Sequence, residues 1–254
     1  MAALGVVLSA GFFPGLLDFF LFERRQSARS QSPLLEPKLF KDPGFVVGLV
    51  VTCIYFAGHT SMLLMLSLYL QFSLSLDPMH AGFALVPFSF AFLLGSAVSG
   101  KINGYLGRTA LHLGVVVLII GTVALSLQAG AAPEHLTLAF VSTCFLYGIG
   151  RGLVTSPLYN TVLSGVPPKD AGAASGVTST MPQLANSVGI ALIGAAVFSV
   201  IPKHGATPID YAHGFVVSAA INLAMLLVAA ALIFLIPKGR GSDGSSTERS
   251  MAEG

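Results

Sequence analysis

Seven stretches of this chain are apolar and close to the roughly 20 residues that a helix needs to cross the hydrocarbon core of a bilayer. They are Ala2–Phe22, Gly44–Leu70, Gly82–Gly100, Leu111–Leu127, Leu136–Leu158, Ala174–Val200 and Gly214–Ile236. Backbone in hydrocarbon finds no water, so each run must satisfy its own N–H and C=O groups as a helix. The expected fold class is therefore an all-α membrane protein with seven transmembrane helices. Composition agrees: 9% of residues are charged, against about 25% in soluble domains, and the mean hydropathy is +0.81.

The intervening segments set the organisation. Residues 1–22 form a first helix in which Pro14-Gly15 predicts a kink. No basic stretch precedes it and no small-residue cleavage site follows, so it does not read as a signal peptide. A chain that opens directly in a span leads us to expect further sequence upstream of Met1. Residues 23–43 form a basic loop with Arg24, Arg25, Arg29, Lys38 and Lys41, residues 44–236 hold six helices, and 237–254 form a Gly- and Ser-rich tail expected to be disordered. The last six runs are compatible with two three-helix units, although no sequence identity between them is visible.

Charge distribution orients the chain. Segments 23–43, 101–110 and 159–173 and the tail together hold eleven Lys or Arg, whereas the alternate segments hold only Lys203. Positive residues stay on the cytoplasmic side, which predicts an outer N-terminus, a cytoplasmic C-terminus and a multi-pass protein of the plasma membrane.

The thirteenth basic residue is Arg151, inside the run Leu136–Leu158 and flanked by Gly148, Gly150 and Gly152. A guanidinium at bilayer depth costs at least about 2.5–3.5 kcal/mol unless partners or water compensate it. Either it lines a polar cavity, or it snorkels about 10 Å to the end of its span. Gln183, beside Pro182, lies at similar depth on a helix running the opposite way, and Pro182 is expected to break that helix locally. Asn186, Asn222 and His59 are further mid-span polar residues; each reads as a pathway residue or as an interhelical hydrogen bond, and a histidine there can also carry a proton. Tyr55 and Tyr147 offer faces for an aromatic or cationic compound. The Gly, Ala and Ser content of 171–199 suits close helix packing.

Other chemistries lack support. Cys53 and Cys144 lie within spans as small buried residues rather than as a disulfide. His80, His135, His204 and His213 come from three separate outer segments without metal spacing. The chain has no Gly-x-Ser-x-Gly, no His-Glu-x-x-His and no phosphate loop, so we expect neither an enzyme nor an ATP-driven pump, and no metal, cofactor or nucleic-acid partner.

Several motifs resemble a known family. Tyr69-Leu70-Gln71, Asp77-Pro78, Ala81-Gly82 and Pro87 form one group. Gly148-Ile-Gly-Arg-Gly152 through Pro157 is a second, and Val166-Pro167-Pro-Lys-Asp-Ala-Gly172 with Ala174-Ser175-Gly176 a third. Their order and spacing resemble the C-terminal half of fourteen-span drug/proton antiporters of the major facilitator superfamily. Gly100-Lys-Ile-Asn-Gly104-Tyr-Leu-Gly107-Arg108 is similar to that superfamily's cytoplasmic loop motif. It departs from it at Gly104, where an acidic residue is usual, and at Thr109, where a second basic residue is usual. Its reading as a tight turn with Arg108 at the membrane face needs no charge relay.

The resemblance implies a secondary transporter exporting small amphipathic compounds in exchange for protons. Its pathway candidates in this chain are Arg151, Gln183, His59, Asn186, Asn222 and Tyr147. The only acidic residue inside a span is Asp18, whereas proton exchange calls for a pathway carboxylate. In the resembled family those carboxylates lie largely in the N-terminal half. The chain is therefore expected to be a truncated or split C-terminal half whose partners are the bilayer, a small-molecule substrate, protons and a missing N-terminal half. The alternative is a non-transporting seven-helix membrane protein, receptor-like or structural; no span lysine for retinal and no outer-loop cysteines favour the receptor form.

Overall fold

The computed structural model describes residues 42–106, 108–131, 135–163, 166–202 and 204–235. The expected first helix, the basic loop 23–41 and the tail lie outside the described residues. Seven helices are described: α1 (Pro43–Leu68), α2 (Pro78–Ala84), α3 (Val86–Leu106), α4 (Arg108–Gly130), α5 (Leu138–Leu163), α6 (Ala171–Phe198) and α7 (Pro208–Leu235). They make six segments long and apolar enough to cross a membrane, because α2 and α3 share one, Pro78–Ile102. No strand occurs among the described residues. Among the described residues the fold is all-α with six segments able to span a membrane, and the first of the seven expected spans lies outside those residues.

Local chemistry sets the helix ends. Asp42 caps α1 by accepting from Gly44 N–H, with Pro43 in the first turn. A π-helical turn, Tyr69–Ser73, carries α1 onward, and the chain reverses through Ser75 at φ 53°. Asp77 caps α2 by accepting from His80 N–H at 3.0 Å, again with a proline next. At α7 the Asp210 carboxylate accepts from both the N–H and the hydroxyl of Thr207 at 2.7 Å, which satisfies a donor at the helix start.

Three boundaries differ from the sequence reading. The helices α3 and α4 run to Leu106 and from Arg108, so Gly100 and Gly104 lie within α3 rather than in a turn. Only Gly107, outside the described residues, separates the two. Helix α5 extends five residues beyond the apolar run, because Tyr159, Asn160 and Thr161 are tolerated once Thr161 donates to the Pro157 carbonyl at 2.8 Å. Helix α6 is continuous through Pro182, contrary to the expected break. The proline removes one N–H, but packing of this buried residue keeps the helix whole.

The packing order is more regular than the sequence. Helix α5 packs chiefly against α3 and α4, helix α1 chiefly against α6 and α7, α4 meets α7, and α1 meets α5 more narrowly. Exchanging the first three spans for the last three leaves this pattern unchanged. Spans three apart in the chain run in opposite directions, so the pattern is that of an inverted repeat. Each leading helix, α1 or α5, inserts among the second and third spans of the other unit. One end of the bundle is filled by Tyr69, stacked on Phe140 at 5.6 Å and on Phe215 at 5.3 Å. The other is filled by Phe45, Leu49, Val162, Ala174 and Val177. Outside, Phe90, Leu93 and Val98 on α3 and Leu184, Val188 and Leu192 on α6 are exposed. Such faces suit lipid or another transmembrane surface.

Candidate functional site

Between the two filled ends, the leading helices α1 and α5 meet at a polar and aromatic group. His59 Nδ1 lies 2.8 Å from the Tyr147 hydroxyl. Its ring stacks on Tyr147 at 5.6 Å, on Phe88 at 6.1 Å and on Tyr55 at 6.2 Å. Tyr147 and Phe88 stack on each other at 5.9 Å. Thr155 donates to the Arg151 carbonyl at 2.9 Å, which leaves the Tyr55 hydroxyl to donate to Thr155 Oγ1 at 3.1 Å.

Arg151 closes the group. Its Cζ lies 4.7 Å from the Phe92 ring centroid and 5.9 Å from that of Phe88. Both distances fall in the range where a ring face attracts a cation, by about 0.5–2 kcal/mol. Its Nε is buried without a hydrogen-bond partner, and so is His59 Nε2. The only ion pairs among the described residues are His80–Asp77 and Lys169–Asp170, both away from Arg151.

The sequence folds this way because α5 presents three faces. Gly148 and Gly152 lie directly on α3: a Cβ at Gly148 would overlap the Phe88 carbonyl oxygen, and one at Gly152 would sit 2.5 Å from Phe92 O and Ser96 N. Gly150 lies on α4. Tyr147, Arg151 and Thr155, four apart, share the remaining face toward α1. The glycines thus admit backbone, and that approach carries Phe88 and Phe92 to Arg151. Because α5 reaches Leu163, Arg151 stands twelve residues, about 18 Å, from that end. The last five of those residues follow the apolar run, so Arg151 still lies seven residues, about 10 Å, from the end of that run.

The other predicted residues divide. Asn186 accepts from the Thr60 hydroxyl at 2.6 Å, an α1–α6 bond beside His59. Asn222 on α7 packs against Gly58, with its amide nitrogen 3.0 Å from where a Cβ would stand and its Oδ1 buried without a partner. Gln183 is exposed on α6 and joins neither group. Gly100, like Gly172, Gly176 and Gly194, faces open space, whereas Gly189 lies on the backbone of Ala57. Backbone therefore approaches α6 closely at Gly189, whereas Gly172 and Gly176 are exposed. Phe88, Phe92, Thr60 and Thr155 belong to the site and were not singled out in the sequence. The one available signal was the four-residue spacing of Phe88 and Phe92 after Pro87.

Comparison with known proteins gives a consistent result. The family model described as Major Facilitator Superfamily matches residues 1–190. The chain is 34% identical over 198 residues to the cephamycin export protein CmcT of Amycolatopsis lactamdurans, covering 76% of this chain and 39% of that protein. It is 32% identical over 197 residues to the probable actinorhodin transporter of Streptomyces coelicolor, covering 77% and 34%. To the multidrug efflux pump LfrA of Mycolicibacterium smegmatis it is 28% identical over 193 residues, covering 75% and 37%. These relatives are named as transporters and exporters, not as enzymes, and the aligned part of this chain spans less than two fifths of each.

Proposed function

Because the chain belongs to the Major Facilitator Superfamily, we propose that it supplies the C-terminal six-helix half of a secondary transporter exporting small amphipathic compounds in exchange for protons. It is a multi-pass membrane protein with exporter relatives, and the finer reading rests on the site. The observation that carries it is a cation, a histidine and four aromatic rings gathered mid-bundle where the leading helices of two inverted units meet. Transporter sites form at such junctions near the membrane midplane. In this reading Arg151 and the rings form one wall of the substrate cavity.

The proton-binding carboxylate comes from the other half. Among the described residues Asp42, Asp77, Asp170 and Asp210 all stand at helix ends, away from the mid-bundle group. An N-terminal half, within a longer protein or as a separate chain, completes the cavity and contributes that acid. The C-terminus faces the cytoplasm, as the basic residues require. The exposed α3 and α6 faces leave room for the partner half. Export in everted vesicles tests this reading: the chain assembled with an N-terminal half should accumulate substrate when a proton gradient is imposed. Accumulation that persists after an uncoupler is added contradicts the proton-exchange reading.

A further inference from the structure

A guanidinium carries five N–H donors and no acceptor. Among the described residues Arg151 Nε is buried without an acceptor, and no carboxylate pairs with the guanidinium. What it has is ring faces, Phe92 at 4.7 Å and Phe88 at 5.9 Å. Phe88 is also a plate for His59, at 6.1 Å, and His59 Nε2 is the second buried nitrogen of the group without a partner. Two unmade nitrogen contacts therefore border one aromatic ring.

Their chemistry agrees on the occupant. We assign the Tyr147 hydroxyl as the donor to Nδ1, the tautomer that puts the imidazole proton on Nε2 and makes it a donor. Arg151 offers donors and a fixed positive charge. An acceptor bearing negative charge satisfies both, and a planar guanidinium fork suits an oxyanion in particular. A cationic compound would meet an uncompensated like charge in a low-dielectric site. A neutral one would leave that charge unbalanced.

Resting on the transporter reading of this site, we propose that Arg151 and His59 recognise an aromatic monoanion, a carboxylate or phenolate borne on a planar ring system. The oxyanion lies on the donors of Arg151 and His59 Nε2, and its ring packs on the aromatic faces of Phe88 and Phe92 that border Arg151. Arg151 sets the charge preference; the phenylalanines set the preference for a ring.

The purified chain in nanodiscs of phosphatidylcholine alone tests this without an anionic headgroup in competition. Three probes share one ring and differ in charge: 1-naphthoate, 1-naphthylmethanol and 1-naphthylmethylammonium. Fluorescence anisotropy should give naphthoate an affinity at least tenfold above both others. Arg151→Gln should remove that preference, with a melting temperature close to that of the unsubstituted chain reporting that the variant is folded. Arg151→Lys should retain part of it. Equal affinity for the three probes, a preference for the ammonium, or a naphthoate preference that survives in Arg151→Gln overturns the proposal. If the anion preference holds but the assembled protein moves nothing, the transporter reading fails and the site stands. If export proceeds with no anion preference, the substrate class alone is wrong.

Discussion

His59 on α1 and Tyr147 on α5 join the two leading helices through a 2.8 Å contact between Nδ1 and the phenolic hydroxyl. Both side chains are buried and their rings also stack. The contact ties together the leading helices of the two inverted units, which touch each other only narrowly. Tyr147→Phe keeps the stack and leaves both imidazole nitrogens buried and unpaired. We expect a loss of about 1–3 kcal/mol, seen as a lower melting temperature in detergent. A melting curve superimposable on that of the unsubstituted chain shows that the contact contributes nothing.

Glycine positions should separate sharply. Gly152→Val places methyl groups where Phe92 O and Ser96 N already stand within 2.5 Å of a Cβ. Overpacking of this kind costs about 1–3 kcal/mol, and the forced separation of α3 from α5 should also move Phe92 from Arg151. Gly176→Ala meets open space and gains helix propensity of about 0.8–1.0 kcal/mol. Thermal stability should fall for the first and hold or rise for the second; the reverse order would refute the α3–α5 packing.

Polar residues on α6 should also divide. Thr60 and Asn186 share a 2.6 Å hydrogen bond, and such bonds in membranes average about 0.6 kcal/mol with a maximum near 1.7. A double-mutant cycle with Thr60→Val and Asn186→Ala should return a coupling of that size. Gln183→Ala removes an exposed side chain and should leave stability within about 0.5 kcal/mol. A larger loss would mean that Gln183 packs within the bundle after all.

The turn before α2 carries a pH dependence. The backbone N–H of His80, and then its imidazole, hold the Asp77 carboxyl below its ordinary value of 3.8. A depressed value means that the folded turn is favoured by the ionised form. That contribution is complete above the ordinary value and disappears as the pH falls through the lowered one. Amide exchange of residues 79–84 should therefore speed up as the pH drops from about 4, after correction for intrinsic rates. In Asp77→Asn, which retains a capping acceptor, that dependence should vanish. Its persistence would assign it to another group.

Much of the fold was legible because apolar length alone fixes helical spans: α1 and α4 to α7 each contain most of the run that predicts them. Ends were less legible. Polar Tyr159–Thr161 hid the last turn of α5, and glycines at 100 and 104 read as a turn although α3 passes through them. Arg151, His59 and Tyr147 could be singled out as chemistry, since charge and hydrogen-bonding groups are conspicuous in apolar runs. Phe88 and Phe92 could not, because an aromatic in a span differs from a packing residue only by what faces it. That depended on Gly148 and Gly152 admitting α3, a tertiary fact. Depth read along the helices paired Gln183 with Arg151, but Gln183 is exposed on α6 and lies apart from the group around Arg151.

The central claim is that Arg151 belongs to the transport site and does not anchor its helix at the membrane surface. Export by the assembled transporter carrying Arg151→Ala, compared at equal membrane abundance, tests it most directly. The account predicts export at background level with insertion and melting temperature little changed. Export at the unsubstituted rate would contradict it.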